Sequence, residues 1–322
     1  MTVSDHLFLA NKSTSGLLPE DPNQRAMLPE LIASYIAAAT AENTRRAYQV
    51  DLRMFLASGG SLPSSPEVIA AYLVAQANLL SPVTLARRLV AIGRAHTSLG
   101  HPNPCRADLV KTTLRGIWRV HGRPQRRVEA ALREDVLAML AHMKGARGIR
   151  DRALILVGFA GAFRRSELVA LQYDDIAFVK EGLTFLIRRS KTDQLGEGRK
   201  VAIPFARSHA CPVTALTHWL EFAAIQSGPL FRNVSKSGAV GAATLSGQSV
   251  AILVKEYAAK AGLDANRFSG HSLRAGLITS AAKAGVRSWK IREQTGHRSD
   301  AMLHRYIRDA EIFEGNAAGS VL

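Results

Sequence analysis

Apolar positions recur at helical spacing along the first half of the chain, and the gaps between runs hold residues that start and stop helices. Leu28 to Ala39 is an apolar, alanine-rich run. Tyr48, Leu52, Phe55 and Leu56 then recur on one helical stripe, with Asn43 or Thr44 placed to cap that helix. Ser61-Leu62-Pro63-Ser64-Ser65-Pro66 reads as a loop. Its last proline suits the first turn of a helix that ends near Ala77, because the N–H it lacks has no intrahelical partner there. Ser81-Pro82 opens another helix, in which Leu85, Leu89, Ile92 and His96 share a face. A further helix is predicted from about Ala107 to Val120. Residues 1–26 are polar and turn-rich without periodicity, as expected of a mobile tail.

The pattern breaks at His121-Gly122-Arg123-Pro124-Gln125-Arg126-Arg127, where glycine, proline and three arginines suit an exposed linker. Residues 27–120 therefore read as one helical domain, 121–130 as a basic linker and 131–322 as a second domain. The second domain opens with helical patterns at Arg133–Met143 and Arg150–Ala160. Residues 183–189 (LTFLIRR) and 200–204 (KVAIP) are β-like, and Ser190 to Arg199, with Gly196 and Gly198, reads as a loose hairpin turn between them. From Pro212 onward the pattern is again mainly helical. The fold class is mainly α: an all-helical first domain, then a mostly helical α+β domain with a small antiparallel sheet.

Charge adds a partner. Lysine and arginine outnumber aspartate and glutamate by 42 to 26, a formal net charge of +16, and a globular chain this basic ordinarily meets nucleic acid. The basic residues fall on helix faces opposite the apolar stripes. Arg45, Arg46 and Arg53 occupy one, Arg87, Arg88 and Arg94 a second, and Lys111, Arg115 and Arg119 recur at four-residue steps on a third. One such stripe is ordinarily a solvated face. Three in one helical segment, followed by Arg123, Arg126 and Arg127 in the linker, point to a surface that grips phosphates. Cys105 and Cys211 lie far apart, with neither metal-ligand spacing nor a disulfide framework. The start of the chain lacks a signal-peptide pattern, and its longest apolar stretch, Leu154 to Phe163, is too short to span a bilayer. A soluble cytoplasmic protein with no membrane partner is expected. No phosphate-binding G-x-x-x-x-G-K-[ST] loop is present, so an ATP-driven motor has no support.

Four short segments carry candidate chemistry. They are Ala162-Phe163-Arg164-Arg165-Ser166-Glu167-Leu168, Ser190-Lys191-Thr192, Ser269-Gly270-His271-Ser272-Leu273-Arg274, and Gly296-His297 with Tyr306 nine residues on. Each alone has a plain reading: a surface ion pair, a solvated turn lysine, a chance His-x-x-Arg in a chain with ten histidines, an amphipathic aromatic. Together, in this order, Arg164, Lys191, His271, Arg274, His297 and Tyr306 resemble the active-site series of the tyrosine recombinase (phage integrase) family. The phrases FRRSEL, RRSKTD, FSGHSLRAGLITSAAKAGV and QTGHRSDAMLHRYIR carry the resemblance, the last two being especially similar to Cre-type members. The family's Arg-x-x-Glu arrangement selects Arg164 over Arg165, because Glu167 lies three residues on. His297 follows the many integrases with histidine there rather than the Cre-type tryptophan; both rings can donate through a ring N–H.

The resemblance implies a core-binding domain and a catalytic domain closing as a C-shaped clamp on double-stranded DNA with a roughly palindromic core site. It also implies a homodimer on each site, a homotetramer in the synapse, and DNA cleavage and rejoining through a 3′-phosphotyrosyl intermediate and a Holliday junction. Tyr306 would be the nucleophile. Arg164 and Arg274 would hold the non-bridging oxygens, with His297 as one more donor. A tyrosine hydroxyl is mostly un-ionised at neutral pH, so His271 would accept its proton. Lys191 would protonate the leaving 5′-hydroxyl, and Glu167 would orient the arginine and histidine pair. One phosphodiester is exchanged for another, so neither ATP nor any metal or other cofactor is expected. An accessory DNA-binding protein is a possible partner; no arm-binding domain is evident before residue 28. Ile312 and Phe313 suggest a terminal segment that docks on a neighbouring protomer. Two rival functions are a type IB topoisomerase, which shares the chemistry, and a non-catalytic DNA-binding regulator.

Overall fold

The computed structural model describes residues 22–123, 128–188, 198–297, 299, 303, 306 and 321. The chain divides into two compact units, residues 1–125 and 126–322.

Among the described residues the first unit has five α-helices: α1 (Pro22–Ala38), α2 (Glu42–Ala57), α3 (Pro66–Gln76), α4 (Pro82–Ser98) and α5 (Asp108–His121). The expected apolar stripes of α3, α4 and α5 form its core with Phe55, whereas Leu56 of the expected α2 stripe and Leu31, Ile32 and Ile36 of the expected first run are exposed. Phe55 from α2, Ile69 and Leu73 from α3, Leu85, Leu89 and Ile92 from α4, and Val110 and Ile117 from α5 are buried together. Each such side chain contributes roughly 1.5–3 kcal/mol by leaving water. Pro66 and Pro82 open their helices as expected, and the Ser81 hydroxyl accepts the Thr84 N–H at 3.2 Å. Two expectations are corrected at the helix starts. The residue capping α2 is Ala41, so Asn43 and Thr44 lie inside its first turn rather than at its cap. The helix α1 begins at Pro22, within the stretch expected to be a tail.

A third correction concerns charge. Arg88 lies on the buried side of α4, only 7% exposed, where its Nη1 donates to the Tyr72 hydroxyl and its Nε lies 3.6 Å from Asp51. Asp51, itself buried, also takes two hydrogen bonds from Arg87, at 2.7 and 2.9 Å. A buried carboxylate needs such partners. Arg88 therefore serves the interior of this unit and does not belong to an outward basic stripe.

The second unit is built round α7 (Gly145–Ala160), whose Ala153–Val157 run is buried on every side. The short α6 (Arg133–Leu140) precedes it, and α8 (Arg165–Ala170) follows one turn later. Against α7 pack α9 (Pro212–Phe222) and α11 (Ser272–Lys283), while α10 (Gly247–Lys260) covers α6 and α8. Trp219 of α9 is fully buried and gives its indole N–H to the Leu230 carbonyl at 2.8 Å. Helix α12 (Ser288–Thr295) follows α11 in the chain. Strands β1 (Ile176–Val179), β2 (Gly182–Ile187) and β3 (Arg199–Pro204) form an antiparallel sheet in that order, with Phe185 opposite Val201 and Leu183 opposite Ile203 on the inward face. The expected two-stranded hairpin thus has a third strand. A separate pair, β4 (Arg232–Val234) and β5 (Val240–Thr244), was not expected. Among the described residues no helix is long and apolar enough to cross a membrane.

Candidate active site

Arg164 is the residue that caps α8, in extended conformation (φ −66°, ψ 150°), and Glu167 is the third residue of that helix. The glutamate reaches back: Oε2 accepts the Arg164 N–H at 2.9 Å, while Oε1 takes Nη1 of the same residue at 2.5 Å. The Arg-x-x-Glu spacing therefore works by capping geometry, with Arg164 just outside the helix and Glu167 in its first turn. Glu167 is only 3% exposed, so its charge depends on these donors. Its Oε2 also accepts Nη2 of Arg199, from the start of β3, at 3.2 Å. One buried carboxylate anchors two guanidiniums.

His271 caps α11 and Arg274 sits in that helix's first turn, so both lie at its N-terminal end. Arg274 is almost fully buried. Its Nη1 donates to the Ala162 carbonyl at 2.7 Å and its Nη2 to Nε2 of His297 at 3.1 Å. Burial and the neighbouring Arg164 charge lower its pKa to about 10, so it remains a cation at neutral pH. Ala162 itself has φ +48°, a left-handed conformation that costs an alanine roughly 1–2 kcal/mol. That strained turn between α7 and α8 aims a carbonyl at Arg274.

His297 follows Gly296, whose left-handed backbone (φ 65°, ψ 38°) ends α12. The tautomer of His297 follows from its neighbours. The Thr295 hydroxyl lies 2.7 Å from the Ile291 carbonyl, to which it donates, and 2.7 Å from Nδ1 of His297, from which it must then accept. The proton is on Nδ1, leaving Nε2 as the acceptor for Arg274. Burial, then the Arg274 and Arg164 charges, hold the His297 pKa down at about 4, keeping the ring neutral. His297 thus holds an arginine through Nε2 rather than presenting the donor expected of it.

Tyr306 completes the group. Its hydroxyl lies 2.8 Å from Nε2 of His271, and its ring centroid is 6.4 Å from each of the His271 and His297 rings. Burial foremost, then Arg274, Arg164 and Arg165, lower the His271 pKa from its ordinary value. A neutral His271 can take a proton from the phenol, and the guanidiniums beside it can hold an anion. The arrangement suits attack by a phenolic oxygen on a phosphate ester.

Residues 131–311 match the model of the phage integrase family. This chain belongs to the phage integrase family. It is 41% identical over 288 residues to the integrase/recombinase XerD homologue of Selenomonas ruminantium, an alignment covering 86% of this chain and 84% of that one. It is also 30% identical over 296 residues to a tyrosine recombinase of Synechococcus elongatus, covering 85% and 87%. A lambda integrase dimer bound to a core site shares the fold with a TM-score of 0.61 at 16% identity, covering 91% of this chain and 79% of that one. The XerH recombinase in a post-cleavage complex gives 0.59 at 18% identity, covering 87% and 78%.

In this integrase-family chain the folded second unit gathers Arg164, Glu167, His271, Arg274, His297 and Tyr306 from three of the four candidate segments. Lys191, Arg126, Arg127, Ile312 and Phe313 lie outside the described residues. Lys111, Arg115 and Arg119 are exposed along α5, Arg45 and Arg46 are exposed on α2, and Arg123 is exposed beyond α5. Arg87 is half exposed but held by Asp51. Sequence reasoning missed Arg199, Thr295 and Ala162. The proximity of Thr295 to His297 in sequence was the one local signal for any of them.

Proposed function

We propose that this protein is a site-specific DNA strand transferase in which Tyr306 is the nucleophile. The observation that carries this reading is the Tyr306 hydroxyl, 2.8 Å from an acceptor histidine and beside the cation Arg274. Tyr306 attacks the scissile phosphorus and its proton passes to His271. The bond from phosphorus to the 5′-oxygen breaks as the 3′-phosphotyrosyl bond forms. Arg164 and Arg274 bind the non-bridging oxygens most tightly as charge builds on them. Lys191 protonates the departing 5′-oxygen. Attack by a 5′-hydroxyl from another strand reverses these steps and restores the tyrosine. The count of phosphodiester bonds is unchanged, so the chemistry needs no ATP, and the arginines supply the positive charge.

Double-stranded DNA with a roughly palindromic core is the substrate of this reading, bound by a dimer at each site and by a tetramer at the Holliday junction. Fold relatives adopt such states: a lambda integrase tetramer on a Holliday junction, and XerH on a palindromic difH substrate. Lys111, Arg115 and Arg119, in one exposed row on α5, with Arg45, Arg46 and Arg123, are the proposed phosphate contacts. An accessory DNA-binding protein is compatible with this scheme. The work would be done at the cell's DNA, in the cytoplasm.

The test begins with fragmented genomic DNA from the source cell. Covalent adducts are trapped by denaturation, and the attached DNA is sequenced. Two copies of the recovered sequence are then placed on a supercoiled plasmid. Recombinant circles that require both copies are the expected product. Relaxation independent of paired copies would mark a topoisomerase, and binding without an adduct would mark a regulator.

A further inference from the structure

We infer that Arg199 is a positioning residue for strand cleavage, setting Arg164 through Glu167 and the His297 turn through Gln294. The inference rests on the reading above, that Arg164 binds the scissile phosphate.

Four observations converge on this side chain. Its Nη2 donates to Glu167 Oε2 at 3.2 Å, the same oxygen that takes the Arg164 N–H. Its Nη1 donates to the Gln294 carbonyl at 2.9 Å, in the last turn of α12. Gln294 answers by donating its side-chain amide to the Ala202 carbonyl of β3 at 3.1 Å and to the Ala160 carbonyl of α7 at 2.9 Å. The guanidinium also covers Gly296: a Cβ on that glycine would lie 2.8 Å from Arg199 Nε. A single planar cation thus ties β3 to the capping box that holds Arg164 and to the left-handed turn that delivers His297.

The arrangement is expensive for stability alone. Nε of Arg199 is buried without a hydrogen-bond partner among the described residues. Burial lowers the Arg199 pKa, with Glu167 opposing that shift. An apolar residue of the same volume would avoid the desolvation of both charges. What an apolar residue could not do is donate to the Glu167 oxygen that also accepts the Arg164 N–H. The planar fork reaches both the carboxylate and the carbonyl, which a lysine ammonium, as a point charge, does less rigidly. Arg199 thus lies between two segments of the candidate site, the start of α8 and the end of α12.

The probe is a duplex carrying the sequence trapped by the full-length protein, in two forms. One has the natural phosphodiester at the cleaved position, and the other a neutral methylphosphonate, which places less demand on the charge of Arg164. Arg199→Gln is expected to bind both duplexes within about twofold of wild type. It should form the covalent complex about 10- to 100-fold more slowly on the phosphodiester, as sub-ångström misplacement of a catalytic group does. On the methylphosphonate the gap should close to about threefold, because the group being misplaced matters less there. Arg199→Lys should fall between wild type and Arg199→Gln, and it carries the same comparison if Arg199→Gln does not fold. Wild-type cleavage rates in the variants, or an equal loss on both duplexes, would overturn the inference. So would a loss of binding in step with rate. Wild-type protein that forms no adduct through Tyr306 would overturn the functional reading instead, a separate outcome.

Discussion

Replacing Thr295 by valine removes one oxygen and hardly changes the volume. In the folded protein that oxygen donates to the Ile291 carbonyl and accepts Nδ1–H of His297, both at 2.7 Å, in a fully buried position. The variant leaves the imidazole N–H without a partner, which costs about 1–3 kcal/mol. Moving the proton to Nε2 offers no escape. That nitrogen lies 3.1 Å from the Nη2 donor of Arg274, so two N–H groups would then face one another. Thr295→Val should therefore lose roughly 1–3 kcal/mol in urea unfolding at pH 7.5, while Thr295→Ser stays within about 0.5 kcal/mol of wild type. The same reasoning fixes a spectroscopic result: nitrogen-15 spectra of the wild-type imidazoles should show His297 neutral and protonated on Nδ1. A wild-type ring protonated on Nε2, or a valine variant as stable as wild type, would refute the hydrogen-bond assignment and the role of His297 in holding Arg274.

Further outcomes follow from the geometry elsewhere. His271 must be neutral to accept a proton, and its pKa lies below the ordinary 6.5. Single-turnover cleavage should accordingly be flat around neutral pH and fall only on the acid side of that value; an acid limb centred above it would count against His271 as the acceptor. Asp51→Asn should destabilise the first unit by about 3–5 kcal/mol in chemical denaturation, because Arg88 is left buried without its counter-charge; a change under about 1 kcal/mol, the range of exposed pairs, would show that the pair is effectively solvated. Alanine at Lys111, Arg115 or Arg119 should weaken DNA binding nearly equally for all sequences and reduce the slope of log affinity against log salt by about 1 each. Unchanged slopes would remove α5 from the DNA surface.

The parts of this molecule legible in its sequence are those that local patterns determine. Leu85, Leu89 and Ile92 recur at helical spacing and are buried together, and Ser81-Pro82 starts their helix. Leu183 and Phe185 alternate with outward positions and fill one face of the sheet. Strand β5, with the sequence Val-Gly-Ala-Ala-Thr, has no such alternation, and its pairing with β4 is a tertiary matter. Arg88 shows the limit for charge. A basic residue on a helix reads as solvated until folding brings Asp51 and Tyr72 against it. The candidate site was readable as an ordered series of residue types, because spacing and order survive in one dimension. Its supports were not: Arg199 meets Glu167 across 32 residues and Gln294 across 95. Nothing near Arg199 in sequence announces either partner.

The central claim is that Tyr306 becomes covalently joined to DNA, and peptide mapping of the trapped adduct tests it most directly. Nuclease and protease digestion of the wild-type adduct should leave a nucleotide on the peptide that contains Tyr306. Tyr306→Phe should bind the same duplex with similar affinity and yield no adduct. A nucleotide found on another residue, or an adduct that persists in Tyr306→Phe, would contradict the account.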